Sequence, residues 1–144
     1  MKFSREAHYF LGAGAVLLAF DQLLKFFARS NSDFNYYLYR PWLGWEYFEN
    51  TGIAFGLSVP TWLLIILTPV ILILFLHLFL TENFVDKLAI LVFLIPGALS
   101  NFIDRVLFGV TIDYIRIFTS LLNLADFFIV LGISLLIFRN FKQE

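Results

Sequence analysis

The sequence predicts an all-α integral membrane protein with four transmembrane helices and a small extracytoplasmic β-rich segment between helices 1 and 2. The chain of 144 residues is 60% apolar and 15% charged, whereas soluble domains are about half apolar and about a quarter charged. Four long stretches are almost purely apolar. The few charged residues inside these stretches lie near the same side of the predicted membrane, whereas randomly placed charges would be spread over both sides.

Composition also excludes several function classes. The net charge is −1 and there is no cysteine, so a basic nucleic-acid surface, a disulfide and a thiol nucleophile are not expected. Only His8 and His77 could supply imidazole, and they belong to different segments. The sequence therefore predicts no metal, no cofactor and no nucleic-acid partner.

The predicted spans follow from the length of the apolar stretches, since a helix needs roughly 20 residues to cross ~30 Å of hydrocarbon. They cover residues 8–28, 60–80, 85–108 and 121–138 of one membrane domain, 1–144. We interpret the first stretch as a retained helix and not as a cleaved signal peptide. It carries Asp21 and Lys25 near its end, and no small-residue cleavage site follows it.

Residues 30–59 form the longest connector, and the alternation around Trp45 to Phe48 predicts short strands there. The connectors at residues 81–87 and 109–120 are read as short links. Basic residues are more frequent on the side of the chain termini, which places the termini in the cytoplasm and residues 30–59 outside.

The polar residues of the spans converge at one depth, near the extracytoplasmic side. They are Asp21 and Lys25 in span one, Asn101, Asp104 and Arg105 in span three, and Asn123 and Asp126 in span four. An ionisable group in the bilayer centre costs about 2.5–3.5 kcal/mol and is a functional candidate by default. Asp21 and Lys25 are four residues apart on one helix, so we interpret them as a structural ion pair.

The plentiful reactive group at this depth is carboxylate. Two neighbouring aspartates share one proton, because their like charges repel, and such a pair can perform aspartic-protease chemistry without a metal. Asp113 and Asp126 flank one short connector and are the favoured pair. Asp104 is a rival, but Arg105 follows it directly, which favours a structural polar network. Gly52 is expected at a turn, with an oxyanion role as the alternative.

Five motifs in register resemble those of the lipoprotein signal peptidases (signal peptidase II). Asp21–Lys25 (DQLLK) resembles D-Q-x-x-K, Asn50–Gly56 (NTGIAFG) resembles N-x-G-x-A-F-G, Asn101–Arg105 (NFIDR) resembles N-x-x-D-R, Thr111–Ile115 (TIDYI) resembles V-x-D-(F/Y)-I, and Asn123–Asp126 (NLAD) resembles N-x-A-D. The chain differs at Pro96, Ser100 and Leu122, where the family usually has Gly, Gly and Phe. The connector between the two aspartates is also short for the family.

The resemblance implies a function and a set of site residues. The catalytic pair would be Asp113 and Asp126. Hydrogen-bonding support would come from Asn50, Gly52, Asn101, Arg105 and Asn123, with Asp21, Lys25 and Asp104 as a structural network. The substrate would be a prolipoprotein carrying diacylglyceryl on its lipobox cysteine, cut immediately before that cysteine at the outer face of the bacterial inner membrane, with residues 30–59 covering it.

Two other classes of function stay open at this stage. A catalytically silent membrane relative would act as a binding or assembly factor, although it would be expected to have lost one of the two aspartates. A small transporter would need polar residues along a path through the bilayer, and this chain keeps them on one side. The expected partners are the prolipoprotein and membrane lipid, and we expect a monomer.

Overall fold

The structure, a computed structural model, describes residues 5–52, 59–81 and 88–140. Its elements in chain order are α1 (Arg5–Ser30), β1 (Tyr36–Tyr39), β2 (Leu43–Asn50), α2 (Thr61–Thr81), α3 (Ala89–Phe108), β3 (Thr111–Ile117), β4 (Ser120–Leu122) and α4 (Leu124–Asn140). The predicted beginning of the third span, residues 85–87, lies outside the described residues. So do Ile53 to Gly56 of the second motif.

Two of these helices are long and apolar enough to cross a membrane, namely Ala7–Ser30 and Ala89–Phe108. Thr61–His77 and Leu124–Phe138 are apolar helical segments of shorter length. The last helix begins at Leu124 and not at the predicted residue 121, because Leu121 and Leu122 belong to strand β4.

The helices alternate in direction, as their contacts show. Ala7 near the start of α1 packs in one buried cluster with Phe79 near the end of α2 and Leu91 near the start of α3. At the other end of the bundle, late α1 is hydrogen-bonded to late α3 through Lys25 and Asn101. The polar side chains of the predicted spans therefore lie together at one end of the bundle.

Helix α3 has an irregular first part that the sequence pattern did not predict. Ala89–Leu94 is π-helical and Ile95–Phe108 is α-helical. We attribute the wider turn to Pro96, whose ring cannot donate a backbone hydrogen bond and crowds the carbonyl four residues earlier. The next residue, Gly97, allows a close approach of α4, because a Cβ there would lie 2.8 Å from the carbonyl oxygen of Ala125.

The four strands form one antiparallel sheet in the order β1-β2-β3-β4. The strand prediction around Trp45 to Phe48 is confirmed by β2. The predicted β-rich segment between helices 1 and 2 supplies β1 and β2, and β3 and β4 come from the connector between α3 and α4. That connector, read as a short link, pairs along β2 from Leu43 opposite Ile117 to Asn50 opposite Thr111.

A buried ionic network ties the polar end of the bundle together. The Lys25 ammonium lies 2.9 Å from a carboxylate oxygen of Asp21 and 2.9 Å from one of Asp104, and all three side chains are almost completely buried. Ser100 donates to Asp21 at 2.5 Å and accepts from Lys25 at 3.1 Å. Gln22 donates to Asp104 at 3.0 Å. These bonds join α1 to α3.

The same carboxylates also hold the sheet and α4. Asp104 accepts the backbone N–H of Ile112 in β3 at 3.1 Å. Asp21 accepts the hydroxyl of Tyr114 at 2.7 Å and the backbone N–H of Ala125 at 3.3 Å. Two aspartates and one lysine therefore fix four elements, α1, α3, β3 and α4, against one another.

Removal of the Lys25 charge tests the importance of this network. We expect Lys25→Met to lower the free energy of unfolding by about 3–5 kcal/mol, because it leaves two buried carboxylates without a cation. The free energy is measured by denaturant titration in detergent micelles, followed by circular dichroism.

Arg116→Met is the matched control, because it removes a cation from the partly exposed pair with Glu46. Its expected loss is about 1 kcal/mol or less. Equal losses in the two variants would contradict a central role for the buried network.

Candidate active site

Asp126 lies in the first turn of α4, where it closes a reciprocal cap with Asn123. The Asn123 side-chain oxygen accepts the backbone N–H of Asp126 at 3.0 Å, and an oxygen of the Asp126 carboxylate accepts the backbone N–H of Asn123 at 3.2 Å. This is the pattern of a capping box, with acid and cap three residues apart. The local sequence thus fixes the position of one carboxylate relative to the helix that carries it.

Asn123 also contacts the second aspartate. Its side-chain amide donates to an oxygen of Asp113 in β3 at 2.6 Å. The short β3–β4 hairpin returns the chain to the start of α4, so one asparagine lies between the two carboxylates and binds both. The structure therefore brings Asp113 and Asp126 together, as the connector length suggested.

The second oxygen of each carboxylate accepts a hydrogen bond from another side-chain amide. Asn50 of β2 donates to Asp113 at 2.8 Å, and Asn101 of α3 donates to Asp126 at 3.0 Å. Lys25 in turn donates to the side-chain oxygen of Asn101 at 2.8 Å, which orients that amide. All four carboxylate oxygens accept hydrogen bonds, so rotation of either aspartate would break at least one of them.

Burial and charge leave Asp113 ready to hold a proton near neutrality. Burial of the carboxyl, and then the negative charge of Asp126, raise the pKa of Asp113 to about 7. The hydrogen bonds from Asn50 and Asn123 and the charge of Lys25 act in the opposite direction. The balance is that of a carboxylate pair that shares one proton.

Gly52 and Arg105 lie beside the pair. Arg105 donates to the backbone oxygen of Gly52 at 3.4 Å, and it has no ion-pair partner among the residues the structure describes. The backbone N–H of Gly52 donates to the Asn50 side chain at 2.9 Å. Since that N–H is already used, Gly52 serves here to orient Asn50, and an oxyanion role would require this bond to break.

Asp104, the alternative candidate for the catalytic pair, makes its hydrogen bonds and its ion pair outside the candidate pair. Asp104 is completely buried and accepts from Lys25, Gln22 and the backbone of Ile112. It therefore belongs to the network beneath the pair. In the described parts of the chain, no group of three or more His, Asp and Glu side chains has the arrangement of a metal site.

Sequence reasoning missed three residues that support the site, namely Gln22, Ser100 and Tyr114. Gln22 and Tyr114 lie inside motifs that were recognised, but their partners are far away in the chain and could not be read from spacing. Ser100 was noted only as a departure from the family's glycine. Its hydroxyl bonds Asp21, Lys25 and Gln22, so the added side chain is absorbed into the network.

A cavity of about 410 Å³ opens between α2, α3 and α4 and reaches Asp126 of the candidate pair. Asn101, Arg105 and Asp126 form its polar end. The remaining lining is mostly apolar and comes from Thr68, Ile71, Phe75, Ala98, Ile129, Val130 and Ile133. Asp126 thus lies at the polar end of a space suited to hydrocarbon.

Comparison with known proteins identifies relatives along nearly the whole chain. A family model described as signal peptidase (SPase) II matches residues 13–142. The chain is 32% identical to a lipoprotein signal peptidase of Thermodesulfovibrio yellowstonii, over 89% of this chain and 91% of that one. It is 34% identical to one of Bartonella henselae, over 95% and 91%.

Two solved structures described as bacterial membrane enzymes have the same fold. One superposes with a TM-score of 0.85 at 28% identity and covers 94% of this chain and 88% of its own. The other gives 0.82 at 28% identity, with 95% of each chain covered. The chain therefore belongs to the signal peptidase II family of aspartic lipoprotein signal peptidases.

Proposed function

We propose that the chain removes signal peptides from diacylglyceryl-modified prolipoproteins, cutting immediately before the lipidated cysteine, with Asp113 and Asp126 as the catalytic pair. The observation that carries this proposal is the pair itself, which is bridged by Asn123 and whose Asp126 lines a mostly apolar cavity. The curated relatives are named lipoprotein signal peptidases, which supports the class of substrate.

Since the raised pKa of Asp113 favours its protonated form near neutrality, we assign the shared proton to Asp113 and the role of base to Asp126. Asp126 takes a proton from water, the resulting hydroxide adds to the scissile carbonyl carbon, and Asp113 gives its proton to the carbonyl oxygen. In the second step the protonated Asp126 gives its proton to the leaving nitrogen as the carbon–nitrogen bond breaks. Asp113 recovers the proton of the hydroxyl group, which leaves a carboxylic acid, a free amine and the original pair.

The cavity lies where the apolar parts of such a substrate would be held. Its walls come from α2, α3 and α4, and its polar end is at Asp126 and Arg105. Among the described residues Arg105 donates one hydrogen bond, to Gly52, and we infer that its other N–H groups bind substrate carbonyl groups. We expect the acyl chains and the signal peptide to enter sideways between α2 and α4.

The proposal includes the orientation of the chain in the membrane. The four helices would span the bacterial inner membrane with the termini in the cytoplasm. The candidate pair and residues 30–59 would then lie at the extracytoplasmic face. One chain contains every residue named for the site, so we expect a monomer to be active, with no cofactor.

Replacement of either aspartate should abolish cleavage while leaving the fold intact. We expect Asp113→Asn and Asp126→Asn to lower kcat about 10³-fold or more, because an amide can neither share nor transfer the proton. Cleavage is followed by gel shift, with the purified enzyme in detergent and a diacylglyceryl-modified prolipoprotein.

The matched control is Asp33→Asn, which changes an exposed aspartate far from the pair. The unlipidated precursor serves as the control for substrate class. Full activity of either pair variant would refute the catalytic assignment. A folded wild type that binds the lipidated substrate but never cuts it would favour the silent-relative alternative.

The pH profile tests the division of roles within the pair. The mechanism needs protonated Asp113, so activity should fall as pH rises through about 7. The Asn50 hydrogen bond favours the ionised carboxylate and lowers the pKa of Asp113. Asn50→Ala should therefore raise that pKa and move the alkaline limb of kcat to higher pH.

Asn35→Ala, at an exposed position, should leave the alkaline limb in place. The limb is measured from initial cleavage rates across neutral and alkaline pH. A limb that stays fixed or moves to lower pH in Asn50→Ala would show that Asp113 is not the proton donor.

A further inference from the structure

The sheet has one ionic face and one apolar face. Strand pairing places Tyr37 and Arg116 on either side of Gly44, and the side chains of both bond the carboxylate of Glu46. The opposite face is apolar along the same strands. Pairing there aligns Tyr39, Leu43 and Ile117 at the far end, and Trp45 opposite Ile115 closer to the helices.

The apolar face is the one that rests on α1. Trp45 packs against Phe27 near the end of α1, with ring centroids 5.7 Å apart, and Trp45 and Ile115 pack against the buried cluster of Ala28, Ile112 and Tyr114. The apolar face continues along the strands past these contacts. Its far end, at Tyr39, Leu43 and Ile117, lies farther along the strands than the residues that contact this cluster.

We call this far end the sheet overhang, defined by Tyr39, Trp42, Leu43, Ile117 and Phe118. These residues line a concave apolar space of about 570 Å³. Tyr39 and Phe118 are each 67% exposed. The backbone N–H of Phe118 donates to the oxygen of Trp42 at 2.6 Å, which links the two strand connections into one rim.

We propose that the sheet overhang is a membrane-binding surface that inserts into the interfacial layer of the bilayer beside α1. The exposed side chains Leu23, Phe26 and Phe27 run along the last turns of α1, and Phe27 contacts both Trp45 and Phe34. An apolar surface is thus continuous from the exposed flank of a membrane-length helix onto the sheet.

The composition of the overhang fits a lipid interface better than a protein partner. Trp and Tyr are enriched where a bilayer meets water, because their rings are apolar and their tips are polar. Glu46 and Arg116 lie on the opposite face, so the overhang can meet lipid without burying either of these charges.

This surface gives the sheet a second attachment, separate from α1. Strand β3 carries Ile117 at the overhang and Asp113 at the candidate site, and strand β2 carries Leu43 and Asn50. An anchored overhang therefore fixes the depth of Asp113 and Asn50 relative to the bilayer. The membrane proposal does not depend on the catalytic roles of those residues.

Tryptophan fluorescence in vesicles tests the proposal directly. The chain has three tryptophans, so Trp45→Phe with Trp62→Phe leaves Trp42 as the only reporter. A second reporter is Phe118→Trp in a protein whose native tryptophans are all Phe. Each protein is placed in phosphatidylcholine vesicles that are unlabelled or brominated, either near the headgroup or near the chain end, and is also titrated with aqueous iodide.

The control reporter is Leu121→Trp in the same tryptophan-free protein, because Leu121 pairs with Arg116 and lies on the ionic face. We expect both overhang reporters to be quenched by the brominated lipids, more strongly by bromine near the headgroup. Their iodide quenching should be about two-fold weaker than that of the control, as for interfacial aromatic residues.

Two results would overturn the proposal. Iodide quenching of Trp42 and Phe118→Trp equal to that of the control, without quenching by brominated lipid, would place the overhang in water. Protection from both quenchers would mean that a protein surface, such as a second copy of the chain, covers it.

Discussion

The architecture depends on one lysine held between two aspartates inside the bundle. Lys25 can stay charged at this depth only because Asp21 and Asp104 meet it at 2.9 Å each, and a buried charge without partners would cost several kcal/mol. The acids are in turn satisfied by Ser100, Gln22, Tyr114 and backbone N–H groups. These partners come from α1, α3, β3 and α4, so the network is complete only when these four elements are packed together.

The candidate site is built directly on this network. Lys25 orients Asn101, which donates to Asp126, and Asp21 receives an N–H from the first turn of the helix that carries Asp126. Asp104 holds the backbone of β3 one residue before Asp113. Each carboxylate of the candidate pair thus has a neighbour fixed by the network, and Asn123 sets their mutual position through the capping box. Such preorganisation favours proton transfer, because the acceptor and donor need not be ordered during the reaction.

The helices and the pair could be predicted from the sequence because both depend on local signals. Apolar length predicts α1 and α3, and the short connector predicts that Asp113 approaches Asp126. The contribution of β3 and β4 to the sheet could not be read from spacing, because their pairing with β2 joins residues that are far apart in the chain. The role of Ser100 could not be predicted either, because its hydrogen-bond partners lie on α1, far from it in the chain. The cavity between α2 and α4 depends on how the helices pack, which the pattern of apolar residues alone does not specify.

The most direct test of the account is whether the folded pair holds one proton near neutrality. Infrared difference titration of the purified protein, wild type minus Asp113→Asn, reports the protonated-carboxyl signal that the pair loses when Asp113 is replaced. The account predicts a protonated-carboxyl band that persists above the ordinary range of aspartate and disappears with an apparent pKa of about 7. A band that disappears near pH 4, as for an unperturbed aspartate of pKa about 3.9, would contradict a buried pair that shares a proton.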